Sequence, residues 1–321
     1  MRVNRRFLYW GIVLVAVGSV LVAADLQAVD TATLTDALRL WPIAIVAIGL
    51  SLVLRRTRLS LPAMLVGAAV PGLVVGGALA VGPRFVGDCG ARGETVNIPT
   101  SQGVFDGPAR VSLRSGCGSL NLKTVPGNGW QLVAGNTAGR APTIGSSARS
   151  LSIDAKRDGG GIFLDTGRET WDLMLPTSAI DDLSAVVTTG HGQVTLAGAQ
   201  ISRLSLTANA AEIVADASEA ASLTNLAAVV NVGSLSIRLP AGSDILGSLR
   251  VGAGQMTVCT PPGLGVRLTS RGMAETVRVN GLEQHASEWL SPDYASAPHR
   301  ADLSVSVNFG AVEINPTGGC R

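Results

Sequence analysis

The chain has 321 residues, of which 46% are hydrophobic and 15% are charged, and its 25 Lys and Arg exceed its 23 Asp and Glu by two. The first 83 residues hold seven of the basic and three of the acidic residues, which leaves eighteen against twenty for the rest of the chain. This distribution excludes a nucleic-acid-binding protein, because the larger part of the chain has no basic excess.

Three long apolar stretches come first in the chain: Phe7 to Ala24, Leu38 to Leu54 and Leu59 to Gly82. Each is close to the ~17 to 25 residues that a helix needs to cross a lipid bilayer. The sequence therefore predicts a region of three membrane-spanning helices in residues 1–83, with the bilayer as a partner.

The third stretch contains a helix-packing motif. Gly72 and Gly76 are four residues apart, a GxxxG spacing that lets two helices in a membrane approach closely. The motif predicts lateral contact with another helix, either in a partner protein or in a second copy of the chain.

Arginines flank these stretches on one side only: Arg2, Arg5, Arg6, Arg55, Arg56 and Arg58. Because positive charge stays in the cytoplasm, we expect a multi-pass protein of the bacterial plasma membrane with a cytoplasmic N-terminus. Everything after Pro83 is then extracytoplasmic. An alternative interpretation takes residues 1–24 as a cleaved signal peptide, and it leaves the C-terminal part outside as well.

All four cysteines follow the apolar stretches: Cys89, Cys117, Cys259 and Cys320. An even number of cysteines on the oxidising side of a membrane predicts two disulfides, for which three pairings exist. We favour Cys89 with Cys117 and Cys259 with Cys320, since each bridge would clamp one end of the exterior domain. No CxxC motif occurs, so neither a metal site nor a redox site is expected.

Residues 84–321 read as an all-β exterior domain, with 84–110 as its lead-in. Short alternating apolar runs are each interrupted by Gly or Asn, and the runs cover 111–122, 186–196, 204–215, 222–235, 249–259 and 305–314. The predicted corners are Gly116, Gly190, Asn209, Gly254 and Gly310. Their spacing near multiples of ~20 residues predicts a single-stranded β-solenoid, and a β-sandwich is the alternative.

Two parts of the chain resemble known bacterial families. Residues 5–56 resemble the transmembrane region of LiaF-type and LiaI-type envelope-stress proteins, chiefly at Trp10, Gly11, Gly18, Trp41, Pro42 and Gly49. The repeats over about 111–316 resemble toast-rack or putative-adhesin β-solenoid domains. These resemblances imply a non-enzymatic protein, either a regulator of a membrane signalling partner or an adhesion module.

No residue pattern predicts catalysis or a cofactor. The nucleophile motif GxSxG is absent, and the Asp181-Asp182 pair is typical of a polar turn. His191 lies between two glycines with no acid in sequence to orient it, which indicates a solvated corner residue.

One segment, residues 280–300, differs from the repeats and concentrates aromatic and imidazole side chains. The candidates for partner binding are His285, Trp289, Tyr294 and His299. Long loops on solenoids often bind partners. The alternative is that these aromatics cover the open end of the apolar stack.

Two functions follow from this sequence. The first is an envelope-stress sensor or regulator whose spans contact a signalling protein. The second is an adhesion or scaffold module that binds a cell-wall component, with homo-oligomers forming through the spans or the solenoid ends.

Overall fold

The computed structural model describes residues 11, 14–16, 19, 94–155, 167–178, 180–271, 277–285, 288–317 and 319. The chain divides into two compact units, Met1–Phe85 and Val86–Arg321. In the first unit the few described residues are helical, and the hydroxyl of Ser19 donates to the carbonyl of Ala16 at 2.9 Å. In the second unit the ordered elements of the described residues are β-strands.

The predicted region of three membrane-spanning helices is corrected by the structure. Over the described ranges no helix is long and apolar enough to cross a bilayer. The helical membrane part of the predicted fold class and the multi-pass membrane localisation therefore do not stand. Nearly all of the stretches on which they rested, including Gly72 and Gly76, lie outside the described residues.

The strands of the second unit follow the chain in the order β1 (Val96–Val104), β2 (Ala109–Val125), β3 (Gly129–Asn136), β4 (Thr143–Ser147), β5 (Ser150–Asp154), β6 (Glu169–Pro176), β7 (Ile180–Thr195), β8 (Gln200–Asp216), β9 (Ser222–Arg238), β10 (Ile245–Cys259), β11 (Leu264–Arg271), β12 (Val277–Val279), β13 (Glu283–His285), β14 (Glu288–Leu290) and β15 (His299–Ile314). Six long strands, β2, β7, β8, β9, β10 and β15, lie side by side in parallel and in register. This is the arrangement of a β-solenoid, not the facing antiparallel sheets of a sandwich.

The long strands must bend, because β7, β8 and β9 are each joined to the next long strand by a short connection. β7 has 16 residues and would span ~50 Å if straight, yet only residues 196–199 connect it to the start of β8. Four residues cannot retrace that distance. Each strand therefore consists of a first arm, a bend and a second arm that returns toward the start of the next coil.

The burial pattern locates the bend. In β8 the buried positions are Leu204, Leu206 and Ala208 before the bend, and Ala211, Ile213 and Ala215 after it. The alternation thus shifts by one residue, which keeps the apolar side of both arms facing the same core.

Apolar side chains of successive coils stack in columns inside the solenoid. One column of the first arms alternates large and small residues and reads Leu113, Ala185, Leu206, Ala228, Leu249 and Val305. All of them are at most 2% exposed. Such alternation fills the space between coils without aromatic residues, which accounts for the low aromatic content of 4%.

The predicted corners fall into two columns rather than one. Gly116 and Asn209 belong to a column at the bend that takes no part in strand pairing. Gly190, Gly254 and Gly310 belong to a second column two residues later, and these three glycines have positive φ. Members of the second column recur at positions 190, 211, 233 and 254, at intervals of 21 or 22 residues.

The two ends of the stack are covered by shorter strands. At one end the second arm of β2 pairs with β6, and β6 is followed in the sheet by β3 and β1. The first arm of β2 pairs with β5. At the other end the first arm of β15 pairs with β11, followed by β14 and β13. The residues between the repeats thus form the caps that a solenoid requires.

The described cysteines do not bond to each other. Cys117 lies in β2 and Cys259 ends β10, and four strand-to-strand steps of about 5 Å separate these strands. Both are disulfide-bonded, although no disulfide joins two residues of the described ranges. Cys89 and Cys320 lie outside those ranges, so the favoured pairings stay predictions.

Candidate functional site

A row of hydroxyl side chains crosses the outer face of the first arms. Neighbouring strands place in register Ser152, Ser112, Ser184, Ser205, Ala227, Ser248, Ser304 and Thr269. We call these eight residues the hydroxyl row. Seven of them carry a hydroxyl, and seven inter-strand steps give the row a length of ~34 Å.

Most of these hydroxyls have unused hydrogen-bonding capacity. Ser152 donates to Asp154 at 2.7 Å, and Ser304 donates to the carbonyl of Gly247 at 3.1 Å. The other hydroxyls of the row make no hydrogen bond with a described residue. Each hydroxyl can donate one hydrogen bond and accept two, so the row offers a regular series of polar contacts to a ligand.

A second row, which we call the charged row, runs beside the hydroxyl row, two residues earlier in the strands. It is charged at Arg110, Asp182, Arg203, Asp302 and Arg267 and uncharged at Asn225 and Leu246. Asp182 lies 3.5 Å from Arg110 and 3.7 Å from Arg203, so two guanidinium groups share one carboxylate. Arg267 binds Asp302 through both Nε and Nη2, at 2.9 and 3.0 Å. Arg267 is therefore fully paired, whereas Arg110 and Arg203 together are only partly neutralised by Asp182.

Small side chains create a groove where the two rows pass over β9 and β10. The groove has a volume of about 550 Å³, and Ala227 and Gly247 are among its lining residues. Arg203 of β8 lines the groove on one side. Glu288 of β14 lines it on the other side, next to β11. A second cavity of about 160 Å³ shares Ser248 and Ser304 with the groove and includes Arg250.

Tyr294 is fixed against the charged row. Its hydroxyl donates to Asp302 Oδ1 at 2.7 Å, and the guanidinium carbons of Arg267 and Arg300 lie 5.3 and 5.4 Å from its ring centroid. Burial and then the bond to Asp302 raise the pKa of Tyr294, so the phenol remains a donor. Although burial acts to raise it, the bonds from Arg267 and Tyr294 lower the pKa of Asp302 below its ordinary value.

We expect Tyr294→Phe to lower the free energy of unfolding by about 1 kcal/mol, because Asp302 would lose one hydrogen bond but retain Arg267. Chemical denaturation of the full chain would measure the change. Ser296→Ala, in the same loop and exposed, is the control and should change the free energy by less than about 0.5 kcal/mol. Equal effects of the two substitutions would show that the phenol does not anchor the loop.

The four predicted partner-binding residues do not form one surface. Trp289 is 8% exposed and packs in the core opposite Leu268, as expected of a residue that covers the end of the stack. His285 is exposed, 3.9 Å from Glu283. His299 lies 3.9 Å from Asp244 at the start of β15. Tyr294 contacts Asp302 and Arg267, which line the groove, and partner binding by the four remains a prediction.

The other outer face, on the second arms, holds a pair that the sequence did not reveal. His191 Nδ1 lies 3.3 Å from Glu212, its in-register neighbour, so an acid is placed beside this histidine after all. Ser119 completes an in-register Ser-His-Glu row, but no hydrogen bond joins Ser119 to His191 in the described part of the chain. The side chains of His191 and Glu212 are 64% and 54% exposed, so water solvates both.

The remaining acidic candidates are accounted for by strand geometry. Asp181 is exposed at the start of β7, and Asp182 belongs to the charged row. They therefore form part of a strand rather than the predicted polar turn. Within the described ranges, no group of three or more His, Cys, Asp or Glu side chains could hold a metal ion.

The chain was similar to solved structures when it was compared with known proteins. No family model and no curated protein matches the chain. A putative cell adhesion protein from Clostridium sporogenes is 16% identical, with a TM-score of 0.47 over 69% of this chain and 99% of that one. A putative adhesin from Parabacteroides merdae is 11% identical, with a TM-score of 0.31 over 70% and 97%. One from Bacteroides fragilis is 9% identical, with a TM-score of 0.28 over 68% and 97%. None of the comparisons supports the resemblance of residues 5–56 to LiaF-type proteins.

Proposed function

We propose that the β-domain is a non-enzymatic binding module of the adhesion or scaffold type, and that it holds an extended polymer along the hydroxyl row. The observation that carries this proposal is the row itself, with seven hydroxyls on eight adjacent strands. A repeating ligand can use a repeating set of donors and acceptors, whereas a small molecule would contact only two or three of them.

The groove supports the same function. It lies on the row, and its lining comes from several adjacent strands, with Asn225 and Ser248 among the polar contacts. The second cavity extends it through Ser248 and Ser304. A chain-like ligand that lies across the strands would fill both cavities and continue over the row on either side.

The proposed module is non-enzymatic because its candidate catalytic side chains are well solvated. His191 and Glu212 are both more than half exposed, so neither is desolvated in the way that tunes a catalytic acid or base. No observation favours the envelope-stress sensor, and we do not propose it.

Ser248→Phe tests the proposal, because a phenyl ring at this position would occupy space that the ligand needs where the groove and the cavity beside it meet. We expect binding of the full chain to insoluble cell-wall polysaccharide, measured by co-sedimentation, to weaken by about tenfold or more. Ser234→Phe is the matched control, since Ser234 lies on the second arm of β9 and faces the other outer surface.

The control variant should bind as the unmodified chain does. Unchanged binding by Ser248→Phe would contradict the proposed site, provided that circular dichroism shows both variants folded. Release of soluble sugar fragments by the chain would contradict the non-enzymatic part of the proposal.

A further inference from the structure

We infer that the polymer bound along the hydroxyl row is anionic, with carboxylate or phosphodiester groups on a hydroxyl-rich backbone. This inference rests on the proposed function and concerns the charges that flank the row. Arg203 lies on one side of the hydroxyl row. On the other side lies Arg250, two residues after Ser248 in β10, and its exposed guanidinium borders the second cavity. Among the described residues it has no acidic partner.

Positive charge at Arg203 is also incompletely neutralised. Its carboxylate partner Asp182 is shared with Arg110, at 3.7 and 3.5 Å respectively, so one negative charge faces two positive ones. The side chains of Arg203 and Arg110 are 60% and 77% exposed, which leaves their remaining N–H donors accessible. Asp302, in contrast, is occupied by Arg267 and Tyr294.

The acidic residue that lines the groove without an ion pair in the described structure is Glu288. It lies on β14, at the far side of the groove from Arg203 and beyond β11 in the sheet. A polymer that crosses β8, β9 and β10 therefore meets Arg203 on one side of the hydroxyl row and Arg250 on the other, before it reaches Glu288.

The second-arm face shows that this excess is specific to one surface. There Arg238 pairs with Asp216 at 3.1 Å, and Arg278 pairs with Glu313 at 3.0 Å. Glu212 is exposed on the same face. Lys123 of β2 is exposed on this face too, but the acidic Glu212, Asp216 and Glu313 equal the basic Lys123, Arg238 and Arg278 in number, so these side chains leave no excess of positive charge there.

The two side-chain types recognise different parts of one ligand. Guanidinium groups bind carboxylate and phosphate oxygens with two parallel hydrogen bonds, which hydroxyl groups do not replace. Serine and threonine hydroxyls exchange hydrogen bonds with sugar or polyol hydroxyls in either direction. A charged, hydroxyl-rich polymer uses both sets, whereas a neutral one leaves Arg250 without a partner.

Three soluble polymers test the inference with the full chain: polygalacturonate, which carries carboxylates, poly(glycerol phosphate), which carries phosphodiesters, and neutral dextran. We expect measurable binding of at least one polyanion by biolayer interferometry, and binding of dextran at least tenfold weaker. The polyanion that binds more tightly identifies the source of the anionic group.

Arg250→Gln is expected to weaken polyanion binding by about fivefold or more and to reduce its dependence on salt concentration. Lys123→Gln is the matched control, because it removes one exposed positive charge from the second arm of β2. It should leave binding unchanged.

The outcomes separate the inference from the proposed function. Three results together would overturn the inference alone: dextran binds as tightly as the polyanions, Arg250→Gln has no effect, and Ser248→Phe still abolishes binding. The bound polymer would then be neutral. If Ser248→Phe leaves every polymer bound as before, or if no polymer and no cell-wall polysaccharide binds, the proposed function fails with the inference.

Discussion

Gly233→Ala is expected to destabilise the β-domain by more than about 3 kcal/mol and to leave much of it unfolded. Gly233 has φ of 112°, a conformation that residues with a Cβ rarely adopt. A Cβ at this position would also lie well inside contact distance of the carbonyl oxygen of Ala211 in the preceding coil. Neither atom can move away, because both belong to paired backbone in the middle of the stack.

The control for this substitution is Gly242→Ala. A Cβ there would meet no heavy atom within 4 Å, and the residue lies in the loop before β10. We expect the control to change the free energy of unfolding by less than about 0.5 kcal/mol. Thermal denaturation followed by circular dichroism would compare the two variants. Similar melting temperatures would contradict the close approach of the coils at Gly233, in the second column.

Glu169→Gln is expected to stabilise the domain at pH 8 by up to about 3 kcal/mol and to have little effect at pH 4. Glu169 is 5% exposed, and burial raises the pKa of its carboxyl from the ordinary 4.5 to about 7. One hydrogen bond, from the backbone N–H of Gly116 at 2.8 Å, acts in the opposite direction. The amide oxygen of glutamine can accept the same bond without the buried charge.

The sign of this effect follows from proton binding. Because the pKa of Glu169 is higher in the folded state, that state binds the proton more tightly than the unfolded chain does. Stability is therefore greatest below pH ~4.5 and falls as the pH rises to about 7, where the folded carboxyl ionises.

Urea denaturation of the full chain at a series of pH values measures this fall. Glu169→Gln should remove it, and Glu212→Gln, at an exposed position, should preserve it. A fall that persists in Glu169→Gln would assign the pH dependence to another group.

The coil pattern could be predicted from the sequence because each coil repeats the same alternation. The repeats gave the positions of the bends to within two residues, but they did not separate Gly116 and Asn209 from the column of Gly190. Glycine occurs in both columns, and only the pairing register and the backbone angles show which column is unpaired and which contains glycines with positive φ. Hydrophobicity also predicted membrane helices, which the described structure does not contain.

The hydroxyl row had a signal in the sequence that single-coil patterns do not show. Except in β9, where Ala227 takes the position, the first arms carry a serine there, commonly between apolar residues, as in VSL at 111–113, LSL at 204–206 and LSV at 303–305. Superposition of the coils on these serines would have aligned the row. The contact of Tyr294 with Asp302 and Arg267 could not be found in this way, because β11 and the loop before β15 do not follow the repeat.

Hydrogen–deuterium exchange in the presence of bound polymer tests most directly whether the hydroxyl row is the binding surface. The full chain, with and without saturating polyanion, should show slower exchange in the first arms of β8, β9, β10 and β15, around Ser205, Ala227, Ser248 and Ser304. The second arms, with His191 and Glu212, should exchange at unchanged rates. Protection confined to the second arms, or none in the first arms at saturation, would contradict the assignment of the hydroxyl row as the binding surface.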